Sequence, residues 1–300
     1  MLTAPRRLLL VHAHPDDETL CTGGTIARYA AAGVQVTLVT CTLGEEGEVI
    51  PSRLRGLAVD AADQLGGYRV GELRAACTAL GVTDQRFLGG MGRWRDSGMA
   101  GTAANTHPRA FAAGDLDEQV AQLAEIVAEV RPQVVICYDP RGGYGHPDHI
   151  RAHQVTTAVA ERAPGLHAVY WHAVSESVLR SGLAALAALP GLPHPLPADG
   201  ELPAVPDDAV TTTVDVTEHR PARIAALRAH ATQVSVWEGE AEGECCYALS
   251  NGIAQPILPV EQFTLAGGRA EPAQVADDLF GGLSETDPAF AEAALGGDSP

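Results

Sequence analysis

The chain alternates between short aliphatic runs that stop abruptly at polar residues and longer segments whose apolar positions recur at helical spacing. RLLLVHAH, from Arg7 to His14, is the first such run, and it ends in the polar cluster HPDDE. A run that is apolar on both faces predicts a strand buried on both sides of a parallel sheet. TGGTIARYAAAG then predicts a helix closed by Gly33, and VQVTLVTCT a second buried strand, which together make a βαβ unit. Further helices are predicted across 69–80 and across DLDEQVAQLAEIVAEV. QVVICYDP repeats the pattern of an aliphatic run ending in polar residues, and HAVYWHAV, near 167–174, adds another strand. This alternation predicts an α/β fold with a Rossmann-like, mostly parallel sheet and helices on both faces.

After residue 175 the character changes. Residues 188–209 hold six prolines and few apolar runs, which predicts a connection across the surface. TTTVDV and EHRPARIAALRAHATQV follow as a strand and a helix. The chain is therefore expected to comprise a Rossmann-like catalytic unit, residues 1–175, and a smaller C-terminal portion, residues 176–300, that packs on it and completes the site. The last thirty residues, rich in Ala, Gly, Asp and Glu, are expected to fray in part.

Composition narrows the classes. With 46% hydrophobic residues over 300 positions the chain can bury a sizeable core. The first aliphatic run is too short for a secretory signal, and no later stretch approaches the roughly twenty apolar residues of a membrane span, so a soluble, cytoplasmic protein without a membrane partner is expected. The six cysteines, at 21, 41, 77, 137, 245 and 246, form no CxxC pair and are read as reduced, mostly buried thiols. A formal charge of −18 opposes a nucleic-acid partner and favours a small neutral or cationic molecule. A homo-oligomer is left open.

The chemistry concentrates in two loops. In parallel α/β sheets the binding crevice forms at the carboxyl ends of strands. One such loop is His14-Pro15-Asp16-Asp17-Glu18; the other runs from Tyr138 to His149 as YDPRGGYGHPDH. Zinc accepts His nitrogen and carboxylate oxygen, and a catalytic zinc typically keeps three protein ligands and one open position. Two ligands from one loop and one from the other suffice for one ion per chain, and Fe2+ fills a His-His-Asp site as readily. A cation would also offset the repulsion between the adjacent Asp16 and Asp17. His12, two residues before His14, is expected to pack or to support a ligand rather than ligate, and His153, one turn after His149, to support a ligand or be structural. Gly142, Gly143 and Gly145 let the loop around Tyr144 approach a substrate closely or move over it.

HPDDE, the later HPDH and the strands before them resemble the LmbE-like (PIG-L type) zinc-dependent N-acetylglucosamine deacetylases. More narrowly, VTCTLGEEGEVI, ADQLGGYRVGEL, LGGMGRWRDSGMAG and YDPRGGYGHPDH resemble the branch that acts on N-acetylglucosaminyl-inositol in mycothiol biosynthesis. The similarity covers about 6 to 160 and resumes in AALRAHATQV, LSN and LAGG; about 175 to 215 carries none. The resemblance implies that His14, Asp17 and His149 hold Zn2+, that Asp16 is the general base toward the attacking water, and that Tyr144 polarises the amide carbonyl. It further implies that His146 is an acid or electrostatic partner as the amine leaves, with Asp148 behind it in a supporting place beside His146. Glu48, Arg69 and Asp96 match positions that bind inositol, with an ordinary salt bridge as the plain alternative for the last two. The implied reaction removes acetate from an amino-sugar inositol and leaves the free amine. Its rivals are a mycothiol S-conjugate amidase, which shares the metal loops, and a non-catalytic zinc-dependent sugar-binding protein, which needs no base.

Overall fold

The computed structural model describes residues 5–163, 165–241 and 243–284. Five parallel strands, β1 (Arg7–His12), β2 (Gln35–Thr40), β3 (Asp84–Phe87), β4 (Val134–Cys137) and β5 (Ala168–Ala173), lie in the order β3-β2-β1-β4-β5. Leu8 of β1 pairs with Val36 of β2 on one side and Val134 of β4 on the other. The chain thus leaves β1 toward one edge and later returns to its opposite side. Between β1 and β4 the winding direction reverses, and that is where α/β sheets place their ligands.

The intervening helices are α1 (Asp17–Ala31), α2 (Leu65–Leu80), α3 (Leu116–Val130), the single turn α4 (Gly142–Gly145) and α5 (Pro147–Ala160). Alternate residues of β1 serve opposite faces. Leu8 and Leu10 enter a core with Ile26 and Tyr29 of α1 and Leu73 of α2. Leu9 and Val11 enter another with Val120 and Leu123 of α3 and Val155 of α5. Both faces carry helices, which explains why these strands read as unbroken aliphatic runs. Gly24 is where α1 comes close to the chain after the sixth strand; a Cβ there would lie 2.6 Å from Cβ of Val216.

The C-terminal part supplies α6 (Glu176–Ala187), β6 (Thr212–Asp215), α7 (Arg220–Ala229), β7 (Ser235–Glu238), β8 (Cys245–Ala248), β9 (Ala254–Pro256) and β10 (Val260–Gly268). β10 runs antiparallel between β5 and β6 and extends the main sheet to seven strands, while β7, β8 and β9 form a separate antiparallel sheet. α7 packs on α1 and α2. Three boundaries differ from expectation. α1 starts at Asp17 rather than at Thr22, because acidic residues suit a helix's first turn. α2 starts at Leu65 rather than residue 69, and α7 stops at Ala229, before the predicted ATQV. The proline-rich connection holds no strand or α-helix across 189–206, as expected. Of the predicted frayed tail, residues 285–300 lie outside the described residues. All six cysteines are free thiols, and among the described residues no helix is long and apolar enough to cross a membrane.

Candidate metal centre and active site

The loops after β1 and β4 meet at the reversal point. β1 ends at His12, and the chain passes through His14 and Asp16 into α1, whose first residue is Asp17. The backbone N–H of His14 donates to Asp17 Oδ2 at 2.9 Å, closing the loop on itself. From the other side, His146 caps α5: its Nδ1 accepts the N–H of Asp148 at 3.1 Å, and Pro147 occupies the first helical position. His149 then projects from the first turn. Gly142 allows the preceding turn to lie against this helix. Its φ is +65°, and a Cβ there would sit 2.7 Å from His149 Cβ and 2.8 Å from the Ile150 nitrogen.

Three atoms converge. His14 Nδ1 lies 3.3 Å from Asp17 Oδ2 and 3.3 Å from His149 Nε2, and His149 Nε2 lies 3.4 Å from Asp17 Oδ2. The edge of a tetrahedron with arms of roughly 2.0–2.1 Å is about 3.3 Å, so the triangle fits one face of a zinc-type coordination shell. All three residues are buried. The other nitrogen of His14, Nε2, faces Asp148 Oδ2 at 3.2 Å and Asp96 Oδ1 at 3.4 Å, the carboxylate backing expected of a ligating imidazole. His14, His146 and His149 also lie close enough to share an ion, as do His14, Asp96 and Asp148. His146, however, spends Nδ1 as the helix cap, and Asp96 and Asp148 lie on the far side of the His14 ring, so the Asp17 triangle is the better-formed set.

The electrostatics agree. Burial alone would lower the pKa of His14, but Asp96, Asp148 and Asp17 override it and raise it well above the ordinary value. Burial would raise Asp17, yet His149 and His14 pull it well below the carboxylate range. The cluster therefore holds buried negative charge that calls for a cation, or for protons in its place.

The remaining expected residues divide into those facing this centre and those behind it. Asp16 is nearly buried and ion-paired with Arg69 at 3.1 Å. Burial, partly opposed by Arg69 and reinforced by Asp17, pushes its pKa up to about 6. Its φ is +126°, a conformation that disfavours any side chain. His146 is held down to about 3, by burial first and then by His14 and His149. A neutral ring whose Nδ1 accepts must carry its proton on Nε2, which makes His146 a donor into the site. A nearby cation would lower this pKa further. Tyr144 is 57% exposed, its ring 5.1 Å from that of His149.

Asp148 departs from expectation. Placed by the sequence beside His146, its carboxylate instead backs His14 and accepts the Ser97 N–H at 2.9 Å; the carboxylate nearest His146 Nε2 is Asp96, at 3.9 Å. The reason is helical geometry: Asp148 lies inside α5's first turn and points back under the loop, while His146 caps from outside. Arg69, 2% exposed, turns its guanidinium onto the carbonyls of Gly44 and Pro15 and onto Asp16. Glu48 is exposed.

One support was not foreseen. Tyr138, just after β4, donates to Asp17 Oδ2 at 2.7 Å, accepts from Ala13 N–H at 2.8 Å and stacks on His149 with ring centroids 4.2 Å apart. Its place at the carboxyl end of a strand was the available signal. His12 bonds to Tyr138 and Thr22 and is pushed down to about 4 by burial, and His153 meets the Tyr138 carbonyl; both pack behind the site, as expected. A cavity of about 440 Å3 adjoins Asp17, His149 and Tyr144 and extends between Leu20, Leu179 and Tyr247.

Residues 9–160 match the family described as PIG-L, GlcNAc-PI de-N-acetylase. The chain belongs to the PIG-L family. Relatives support this over nearly the whole length. The chain is 65% identical, over 94% of itself and 99% of the relative, to the 1D-myo-inositol 2-acetamido-2-deoxy-alpha-D-glucopyranoside deacetylase of Actinosynnema mirum. It is 55% identical to the protein of the same name from Mycobacteroides abscessus, over 93% and 98%. The PIG-L fold itself extends to more distant proteins. A hydratase from Pseudomonas putida, the 4-carboxy-2-hydroxymuconate hydratase GalB, shares it at a TM-score of 0.54 and 18% identity over 89% of this chain and 98% of that one. One fold thus hosts more than one reaction, and the function must be argued from the site.

Proposed function

We infer that this PIG-L protein hydrolyses the N-acetyl amide of an N-acetylglucosamine joined to inositol, releasing acetate and the free amine, with one divalent cation, Zn2+ or Fe2+, per chain. The observation that carries the chemistry is the triangle of His14 Nδ1, Asp17 Oδ2 and His149 Nε2, with a nearly buried carboxylate and a neutral imidazole donor beside it. The substrate is supported by the relatives at 55–65% identity that carry that activity in their names.

His14, Asp17 and His149 would hold the cation. When bound, it supplies Lewis-acid polarisation of the carbonyl and an acidified water. Asp16 takes a proton from the attacking water, and a pKa near 6 suits that task at neutral pH. Tyr144 and the Nε2–H of His146 donate to the oxygen on which charge develops. Because His146 is neutral, the proton that the departing amine needs comes back from Asp16. Arg69 holds Asp16 and the Pro15 carbonyl in place. Glu48, whose side chain is exposed, is open to meet the inositol; Asp96 and Arg69 would have to share their present partners to do so. A setting in the cytoplasm and a small-molecule rather than nucleic-acid partner belong to the same proposal.

The cavity of about 440 Å3 beside Asp17 and His149 gives the rival amidase some support, since it offers room for an acyl group larger than acetyl. A non-catalytic sugar binder would leave Asp16, Tyr144 and His146 without a purpose. The test is to incubate the purified protein with acetylated glucosaminyl-inositol and, separately, with a mycothiol S-conjugate, and to measure free amine. A larger kcat/KM on the first is expected; a larger value on the second would reassign the function, and turnover of neither would favour the binder.

A further inference from the structure

His230 lies outside the two loops, after α7, and is fully buried. Its Nε2 meets Glu18 Oε1 at 2.7 Å, and its Nδ1 has no hydrogen-bond partner among the described residues, so this ring makes one bond, and makes it to Glu18. Glu18 is also fully buried; Oε1 accepts from the Thr19 hydroxyl at 2.6 Å, and Oε2 accepts the backbone N–H of Asp16 at 2.9 Å. That N–H belongs to the residue whose φ is +126°. A conformation of this kind is strained and persists only where its surroundings over-determine it. The surroundings here are Glu18 on the amide side and Arg69 on the carboxylate side.

The same C-terminal segment grips neighbouring parts of the site. The Thr232 N–H and hydroxyl donate to Glu72 at 2.8 and 2.6 Å, and Gln233 donates to the Glu48 carbonyl at 3.2 Å. Arg223 of α7 donates to the carbonyls of Thr19 and Leu20, and Glu261 of β10 accepts the N–H groups of Gly24 and Thr25. The first turns of α1 are thus pinned from the C-terminal part of the chain at several points, of which His230 is the one aimed, through a single carboxylate, at Asp16.

We propose that His230 is a positioning residue for the hydrolysis: through Glu18 it fixes the backbone of Asp16 in its left-handed conformation and so aims the Asp16 carboxylate beside the metal ligands. This rests on the reading of Asp16 as the base. Among the described residues, the His230 ring hydrogen-bonds to Glu18 and not to His14, Asp17 or His149. Without its donor, the Glu18 carboxylate loses the bond that orients it, and the Asp16 amide loses a fixed acceptor.

The test is a double-mutant cycle on the full-length, zinc-loaded protein, with His230→Leu, Asp16→Asn and the double variant, each checked for metal content and thermal melting. In the otherwise native protein His230→Leu should lower kcat by about ten- to a hundredfold, the scale on which misplacing a reacting group costs rate, with KM and zinc content nearly unchanged. In the Asp16→Asn background the same change should cost less than about twofold, because the group it aims is gone. His230→Gln, which keeps an N–H donor, should recover most of the rate. Hydrogen exchange in the metal-free protein gives a readout apart from activity: His230→Leu should speed exchange in a peptide spanning residues 14–18. Should His230→Leu fail to fold, Glu18→Gln carries the same cycle. Equal costs in both backgrounds, or unchanged exchange at 14–18, would overturn the positioning role while leaving Asp16 as base. An Asp16→Asn variant of undiminished kcat would instead overturn the base assignment on which the proposal rests.

Discussion

The two loops that build the site solve the same geometric problem in opposite ways. Both must turn sharply from a strand into a helix and present an imidazole at the crevice. The first does so with an aspartate at φ +126° and no glycine, and every residue from His14 to Glu18 except Asp16 is buried. Its unusual backbone is held by Glu18, Arg69 and Tyr138, and behind them by His230. The second turns on Gly142, Gly143 and Gly145, all at positive φ without the penalty a side chain would bring, and leaves Tyr144 exposed. On the proposed function, the first loop is braced because its carboxylates must stay where they are. The second is open at its tip, where Tyr144 is exposed and on the proposed function meets the substrate, and it is anchored by Asp139, which accepts the N–H groups of Arg141 and Gly143, and at the base, where His146 and His149 enter α5.

The largest expected effect removes what the two loops share. Dialysis against a chelator should abolish turnover, and added Zn2+ or Fe2+ should restore it; the assay is amine release before and after. Full activity in a protein shown to be metal-free would dissolve the comparison, since the loops would no longer be two halves of one site. Next, Tyr144→Phe should lower kcat by roughly ten- to a thousandfold while metal content stays at one equivalent, the range for losing one donor to the developing oxyanion. An unchanged kcat would make the tip a cover only.

How far these features could be read from the sequence differs between the loops in the same way. The α/β sheet was legible because it follows from local patterns, aliphatic runs that stop at polar residues, and those runs pointed to HPDDE and YDPRGGYGHPDH as the loops at the crevice; which residues in them would hold a cation came only from the family resemblance. The bracing was not. Glu18 stands in the quoted motif but its partner is 212 positions away, at His230, and Tyr138 looks in sequence like one more strand-end aromatic. Arg69 resembled a substrate-binding position, yet its guanidinium is engaged with Gly44, Pro15 and Asp16; spacing along one chain does not tell which way a long side chain turns. Asp148 was assigned to the wrong histidine for a similar reason, since one residue's shift in a helix's first turn changes the face by about 100°. β10 entered the main sheet unannounced because its VEQFTLAGG lacks the continuous aliphatic character of the parallel strands.

Smaller effects sharpen the contrast. Gly142→Ala, which meets His149 and Ile150 as well as a positive φ, should destabilise the protein by about 2–3 kcal/mol; Gly145→Ala, with φ +91° but open space around it, by about 1 kcal/mol. Thermal or urea unfolding of the two variants measures the difference, and equal losses would deny that the base of the loop is anchored and its tip free. Smallest is a pH effect. A base must be deprotonated to act, so kcat should rise with pH as Asp16 ionises, with its acid limb at about 6 or lower, since a bound cation favours the carboxylate. A limb well above 6 would point to a different group.

The central claim is that the adjacent aspartates of the braced loop do different things, Asp17 holding the metal and Asp16 moving the proton. Metal content and kcat measured side by side on Asp16→Asn and Asp17→Asn test it most directly. Asp16→Asn should keep nearly a full equivalent of metal and lose roughly 10²- to 10⁴-fold in kcat. Asp17→Asn should lose metal, with activity partly regained when excess metal is added. An empty site in Asp16→Asn, together with a loaded but inactive Asp17→Asn, would contradict the account and reverse the two roles.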